Sequence, residues 1–226
     1  MDRLHELIRR LPPGVEFLIV LTWAFGLHIF SSILSVGQPE LQRFDDQSLF
    51  ALMFVEMLQF GFLAWFLRIR GWTLEKFGLR VTWGGTAAGV GLAVVTYAVI
   101  LGILMGAEFA WPSQLKAARA LYPAVAPELS MQLVFVASVI NGIYEELFVA
   151  GYIVTALKER RGMWTAINVS TVVRLLYHLY QGPIGVLVVI PLGLAWGYLY
   201  ARRGVLWPLI LAHILIDFVG LIAGSQ

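Results

Sequence analysis

The chain has 226 residues, of which 59% are hydrophobic and only 13% charged, and its formal net charge is +2. A soluble domain is about 25% charged, so this surface belongs in lipid rather than water. The basic residues form no single patch, which excludes nucleic acid as a partner, and the absence of cysteine excludes disulfides, thiolate metal sites and a cysteine nucleophile.

Residues 1–14, MDRLHELIRRLPPG, mix both charges and contain Pro-Pro, unlike a cleavable signal. They are expected to lie on the membrane surface as a short basic amphipathic lead-in. A helix needs about 20 mostly apolar residues to span a bilayer. Seven runs qualify, approximately 15–34, 48–67, 85–106, 130–157, 162–180, 184–200 and 205–223. The fifth and sixth are the shortest, and Gln181-Gly182-Pro183 between them signals a tight turn, so a kinked or re-entrant pair is the alternative. Long apolar runs span lipid as helices. The expected fold is all-α, a polytopic transmembrane bundle of about seven spans forming one integral-membrane domain over residues 1–226. Glycines at 85, 89, 91, 193 and 197 are read as points of close helix approach.

Loop charge orients the bundle, because basic residues favour the cytoplasmic side. Arg3, Arg9 and Arg10 precede the first span. Arg68, Arg70, Lys76 and Arg80 follow the second, Lys158, Arg160 and Arg161 the fourth, and Arg202 and Arg203 the sixth. The alternate loops carry Glu40, Asp45 and Asp46 against Arg43, then a balanced segment at about 107–129, then the uncharged turn at Gln181. The N-terminus is therefore expected inside and the C-terminus outside. Trp111 and Tyr122 suit the outer membrane interface.

Ionisable residues within the spans are the chemical signal, since each is unfavourable by a few kcal/mol unless it finds polar partners or water. Glu145 and Glu146 interrupt the fourth span. Arg174 and His178 are four apart in the fifth, and His213 and Asp217 four apart in the last, so each pair shares a helix face. Adjacent residues diverge by about 100°, so one of the two glutamates is expected to face a cavity and the other to pair with a neighbouring helix or cap backbone. Counting about 1.5 Å per residue from the inner ends, Glu145 and Asp217 lie about 18 Å deep, His213 about 12 Å and His178 about 24 Å. Convergence on one polar pocket is possible within that band. A carboxylate and an imidazole there can activate a water, and a second imidazole can stabilise an oxyanion. Buried ion pairs that only fix helix register are the structural alternative, and two histidines with carboxylates also suit zinc or iron. Glu56 and Gln59 share a face of the second span, with a structural or gating role favoured for Glu56. His28 reads as a lone interfacial residue, and Asn141 as a cross-helix hydrogen bonder.

The first motif reads Glu145-Glu146-Leu147-Phe148-Val149-Ala150-Gly151-Tyr152, the second Arg174-Leu175-Leu176-Tyr177-His178, and the third His213-Ile214-Leu215-Ile216-Asp217. In this order they resemble the CPBP family of intramembrane proteases, the CAAX protease and bacteriocin-processing family, whose eukaryotic relatives include the Rce-type prenyl-protein endopeptidase. The resemblance covers about residues 70–220, with GWTLEKFGLR as the cytoplasmic lead-in. It implies a glutamic-type endopeptidase, formerly classed as metallo-dependent. Glu145 and His178 would activate the water, and His213 and Asp217 would stabilise the oxyanion. Glu146 and Arg174 would support the site. No cofactor is required. A divalent metal such as zinc, if present, would take Glu145, His178, His213 and Asp217. Three positions depart from the family pattern. Ala150 replaces an arginine, Arg174 a phenylalanine and Asp217 an asparagine, and Arg174 is read as supplying the guanidinium that position 150 lacks.

The resulting expectation is a multi-pass protein of a bacterial or archaeal inner (plasma) membrane. It would cut a membrane-associated peptide or protein substrate in a cavity open toward the cytoplasm, with the lipid bilayer as its other partner. A non-proteolytic bacteriocin-immunity or scaffold protein of the same fold is the first rival. A small transporter using the Glu/His/Asp set as a proton relay is the second, disfavoured by the lack of internal two-fold symmetry.

Overall fold

The computed structural model describes residues 2–38, 41 and 43–225; Glu40, one of the acidic loop residues, lies outside them. Its helices are α1 (Asp2–Arg9), α2 (Pro13–Leu34), α3 (Asp46–Ile69), α4 (Trp83–Ala110), α5 (Pro112–Arg119), α6 (Met131–Glu145), α7 (Ile153–Arg161), α8 (Met163–Tyr177), α9 (Gly182–Arg203) and α10 (Trp207–Gly224). A π-helical segment, Glu146–Tyr152, joins α6 to α7. Met131–Arg161 is thus one continuous rod, and among the described residues it is one of six helices long and apolar enough to cross a membrane.

The helices start where their caps dictate. Asp45 accepts a hydrogen bond from the Ser48 amide at 2.8 Å, while the Ser48 hydroxyl receives the Asp45 amide, a reciprocal cap that opens α3. The Ser48 amide beside it holds the Asp45 carboxyl below its ordinary value. The Thr82 side chain accepts from the Gly85 amide to open α4, and Ser130 does the same for α6 through Leu133. Gly204, at φ +63°, ends α9.

The fifth run departs from a full span. Its helix, α8, has only 15 residues, about 22 Å against the roughly 30 Å of a hydrocarbon core. The chain leaves the helix at His178, makes a single 3₁₀ turn over Leu179–Gln181, and re-enters helix at Gly182. Non-helical backbone at such depth needs polar partners. The Ser32 hydroxyl of α2 accepts the Tyr180 amide at 3.0 Å.

The core lies where the π segment meets α2, α8, α9 and α10, with Tyr144, Phe148, Tyr152, Ile167 and Ile210 among its fully buried side chains. Gly142 sets the distance between α6 and α10. A β-carbon there would lie 2.8 Å from the Ile214 side chain and 3.1 Å from its amide nitrogen. Glycine at 193 likewise admits Thr171 of α8 against α9, whereas Gly91 has nothing within 4 Å. The packing reading thus holds at 193 and fails at 91. Polar groups lock the basic end of the bundle. Glu16 accepts from Arg70, from Trp72 at 2.8 Å and from Tyr152 at 3.1 Å.

Substituting Gly142→Leu is expected to destabilise the bundle by about 1–3 kcal/mol through overpacking. Gly91→Leu is expected to leave the melting temperature unchanged. Thermal denaturation of both variants in detergent checks the contrast.

Candidate active site

The candidate residues reach one place from three helices. Glu145 ends α6 and Glu146 begins the π segment, whose hydrogen bonds run to the fifth rather than the fourth residue. The widened turn turns the Val149 carbonyl aside, and the Ser170 hydroxyl of α8 donates to it at 2.7 Å. The same turn reduces the angle between adjacent side chains, so both glutamates address α8 and α10.

Glu146 is fully enclosed. Its Oε1 accepts from Arg174 at 2.7 Å and faces His213 Nδ1 at 2.8 Å. Glu145 lines the cavity instead. Its Oε2 accepts from the Tyr177 hydroxyl at 2.6 Å and stands 3.9 Å from both Arg174 and His213 Nε2. The adjacent pair therefore divides as its sequence implies, one carboxylate on the cavity and one behind it. Arg174 lies between them, 7% exposed, with its guanidinium close to Trp196.

Hydrogen bonds fix the ring orientations. His178 presents Nδ1 to the Arg174 carbonyl at 2.9 Å, so that nitrogen carries the proton and Nε2 keeps its lone pair. His213 directs Nδ1 at Glu146 and Nε2 at Asp217 Oδ2, 3.4 Å away. Asp217 in turn accepts from Asn141 Nδ2 at 2.8 Å. Glu145, Arg174, His178, His213 and Asp217 all line one cavity of about 700 Å³. Ala150 is buried in the π segment, one turn beyond Glu146.

Two groups carry more than their sequence context suggested. Tyr177 is a hydrogen-bond partner of Glu145, and the only sequence signal was a phenol next to His178. His28 is not a lone interfacial residue. It meets Gln59 Oε1 at 2.9 Å, which also accepts from Tyr144 at 2.9 Å, while Gln59 Nε2 donates to the Trp23 carbonyl. Contact between α2 and α3 explains the difference, because Gln59, buried between them, requires partners. Glu56, 1% exposed, also borders the cavity, and its Oε2 has no hydrogen-bond partner.

Among the described residues no three His, Asp or Glu side chains are grouped as a cation site. A guanidinium stands beside Glu145, one of the four residues that would hold a metal.

Fold and site together define a polytopic helical membrane protein with a carboxylate–imidazole centre buried among its spans. Residues 127–219, which contain all three motifs, match the family described as type II CAAX prenyl endopeptidase Rce1-like. Over this segment, less than half of its length, the chain is similar to the CPBP/Rce1 family of membrane proteases. No curated protein and no solved structure matches the chain.

Removing the cation between the two glutamates leaves two enclosed carboxylates uncompensated. Breaking such a buried pair destabilises by about 3–5 kcal/mol. Arg174→Ala is expected to abolish recovery of folded protein from membranes, and Arg174→Lys to restore part of it. Monodisperse yield by size-exclusion chromatography gives the readout, and wild-type yield from Arg174→Ala refutes the role.

Proposed function

We propose that the protein is a glutamic-type intramembrane endopeptidase of a bacterial or archaeal plasma membrane, hydrolysing a peptide bond of a membrane-associated substrate with a water activated by Glu145 and His178. The observation that carries this reading is the position of Glu145. It borders the cavity that His178 also lines, oriented by Tyr177 and Arg174, with the His213 imidazole 3.9 Å away.

Water placed between Glu145 and the lone pair of His178 Nε2 loses a proton to the carboxylate as its oxygen bonds to the substrate carbonyl carbon. The carbonyl oxygen becomes an oxyanion. His213, protonated on both nitrogens, donates from Nε2 to that oxygen while Glu146 holds Nδ1. Asp217, as a carboxylate, cannot donate. It orients His213, and the Asn141 amide beside it brings a donor to the position where the family pattern has asparagine. The C–N bond then breaks, and the proton held by Glu145 passes to the leaving amine, giving one new carboxylate and one new amine. No metal takes part. Arg174 holds both glutamates ionised and supplies the guanidinium absent at Ala150.

The buried Ala150 also sustains the rival, a scaffold or immunity protein that keeps the fold without cutting. A peptide library reconstituted with the protein separates them. Wild type is expected to cut with or without chelator, Glu145→Gln to cut at least about 100-fold more slowly, and Tyr177→Phe to lose about 10- to 100-fold, the worth of a hydrogen bond to a charged acceptor. Loss of wild-type cutting in chelator would overturn the metal-free reading. Product analysis by mass spectrometry that finds no wild-type cutting, with the cellular function intact in Glu145→Gln, would favour the scaffold.

A further inference from the structure

The walls of the cavity come from one half of the bundle. α2 and α10 contribute from their second halves, at His28 and Asp217, and α3, the continuous rod Met131–Arg161 and α9 from their first halves, at Leu52, Asn141 and Ile184. Those halves all lie toward the same face. The rim is built from connections on that face, with Arg43 and Phe44 on one, Arg119, Tyr122 and Val125 on another, and Tyr180 and Gln181 on the turn between α8 and α9. The first two are stitched together, for the Phe44 amide donates to the Ala124 carbonyl at 2.9 Å and the Ala126 amide to the Phe44 carbonyl at 2.8 Å. Ser130 closes the seam by donating from its amide to Asp46 at 3.0 Å. No residue of the connections at 70–82, 158–162 or 203–206 lines the cavity.

The basic residues lie at the other face. The N-terminal segment, the 68–80 connection, the 158–161 turn and the 202–203 turn carry three, four, three and two of the chain's 16 lysines and arginines. The rim face has Arg43, Lys116 and Arg119, and Arg119 is paired with Glu108 at 3.0 Å. This asymmetry orients the twelve toward the cytoplasm. A cavity open at the cytoplasmic side, the simplest expectation for the site, is therefore contradicted by where its walls lie.

We infer that the cavity is entered from the extracytoplasmic face and that its substrate is an exported polypeptide segment, not a cytosolic protein tail. The identity of the substrate as polypeptide rests on the endopeptidase reading, while the side of entry does not. Leu52, Ile184 and their neighbours line the approach with apolar side chains, and the two rim arginines ring its mouth. An extended segment threaded from that side passes the arginines first and reaches Glu145 at mid-membrane.

Because the chain has no cysteine, single-cysteine variants report sidedness directly. Leu52→Cys lies on the cavity wall, Tyr122→Cys at the rim and Arg202→Cys on the basic face. A membrane-impermeant thiol reagent added to intact spheroplasts is expected to label Leu52→Cys and Tyr122→Cys fully, and Arg202→Cys only after permeabilisation. The pattern is expected to persist in a Glu145→Gln background, since labelling requires no turnover. Labelling of Arg202→Cys in intact spheroplasts, or of Leu52→Cys only after permeabilisation, would overturn the inference. Right-side-out vesicles are then expected to cut an added peptide library and inside-out vesicles to leave it intact. Cutting confined to inside-out vesicles would refute entry from outside. Absence of cutting in both, with the labelling pattern intact, would remove the polypeptide substrate along with the endopeptidase reading and leave the side of entry standing.

Discussion

The site depends on one cation placed between two carboxylates. Arg174 reaches across from α8 to Glu146 at 2.7 Å and to Glu145 at 3.9 Å, deep among apolar helices. Each group alone would be unfavourable in hydrocarbon, and together they satisfy one another. The pairing also does geometric work. Glu146 is engaged by Arg174 and by His213 at once, so the same carboxylate that neutralises α8 fixes the ring on α10. Glu145 is left with one hydrogen bond, from Tyr177, and a free approach to the cavity. A charge cluster that holds three helices together thus leaves one carboxylate available for chemistry.

The π segment makes this division possible, and nothing in hydropathy announces it. Read as a regular helix, Glu145 and Glu146 diverge by about 100°, with one facing the cavity and the other a neighbouring helix or the backbone. In the widened turn both address the same neighbours, and the freed Val149 carbonyl is satisfied by Ser170. Such bulges are frequent at functional sites because they redirect side chains without ending the helix. The end of α8 has the same character. A full span would carry His178 past the cavity, whereas a helix of 15 residues leaves it at the cavity wall with Nδ1 engaged by the turn below.

The residues of the site were legible because ionisable groups in apolar runs have few explanations. The i,i+4 spacing of His213 with Asp217, and of Arg174 with His178, placed each pair on one face before any contact was known. The runs themselves, and their helical character, were equally plain. What stayed hidden depends on contacts between helices. Tyr177 is an ordinary membrane aromatic until Glu145 appears opposite its hydroxyl. His28 looks isolated until α3 brings Gln59 against it. Loop charge gives the orientation of the bundle, but not which half of it is hollow, and the expected cytoplasmic opening failed for that reason.

The three departures from the pattern of the family the chain resembles are read as two exchanges between neighbouring helices. Ala150 lacks a guanidinium, and Arg174 on α8 brings one to Glu146, one helical turn away from that alanine. Asp217 lacks an amide, and Asn141 on α6 brings one to its carboxylate. On that reading the group is kept in each exchange while its helix of origin changes. That is possible because the cavity is defined by where side-chain tips meet, not by which backbone carries them. It also shifts the balance of charge. An aspartate in place of an amide adds a third carboxylate around His213, so this ring has Glu146 at one nitrogen and Asp217 near the other. In the proposed mechanism Nδ1 stays with Glu146, and Nε2, which stands 3.4 Å from Asp217 with no hydrogen bond to it, turns its proton toward the oxyanion. The proposed proton transfer is assigned to Glu145 and His178, both of which line the cavity.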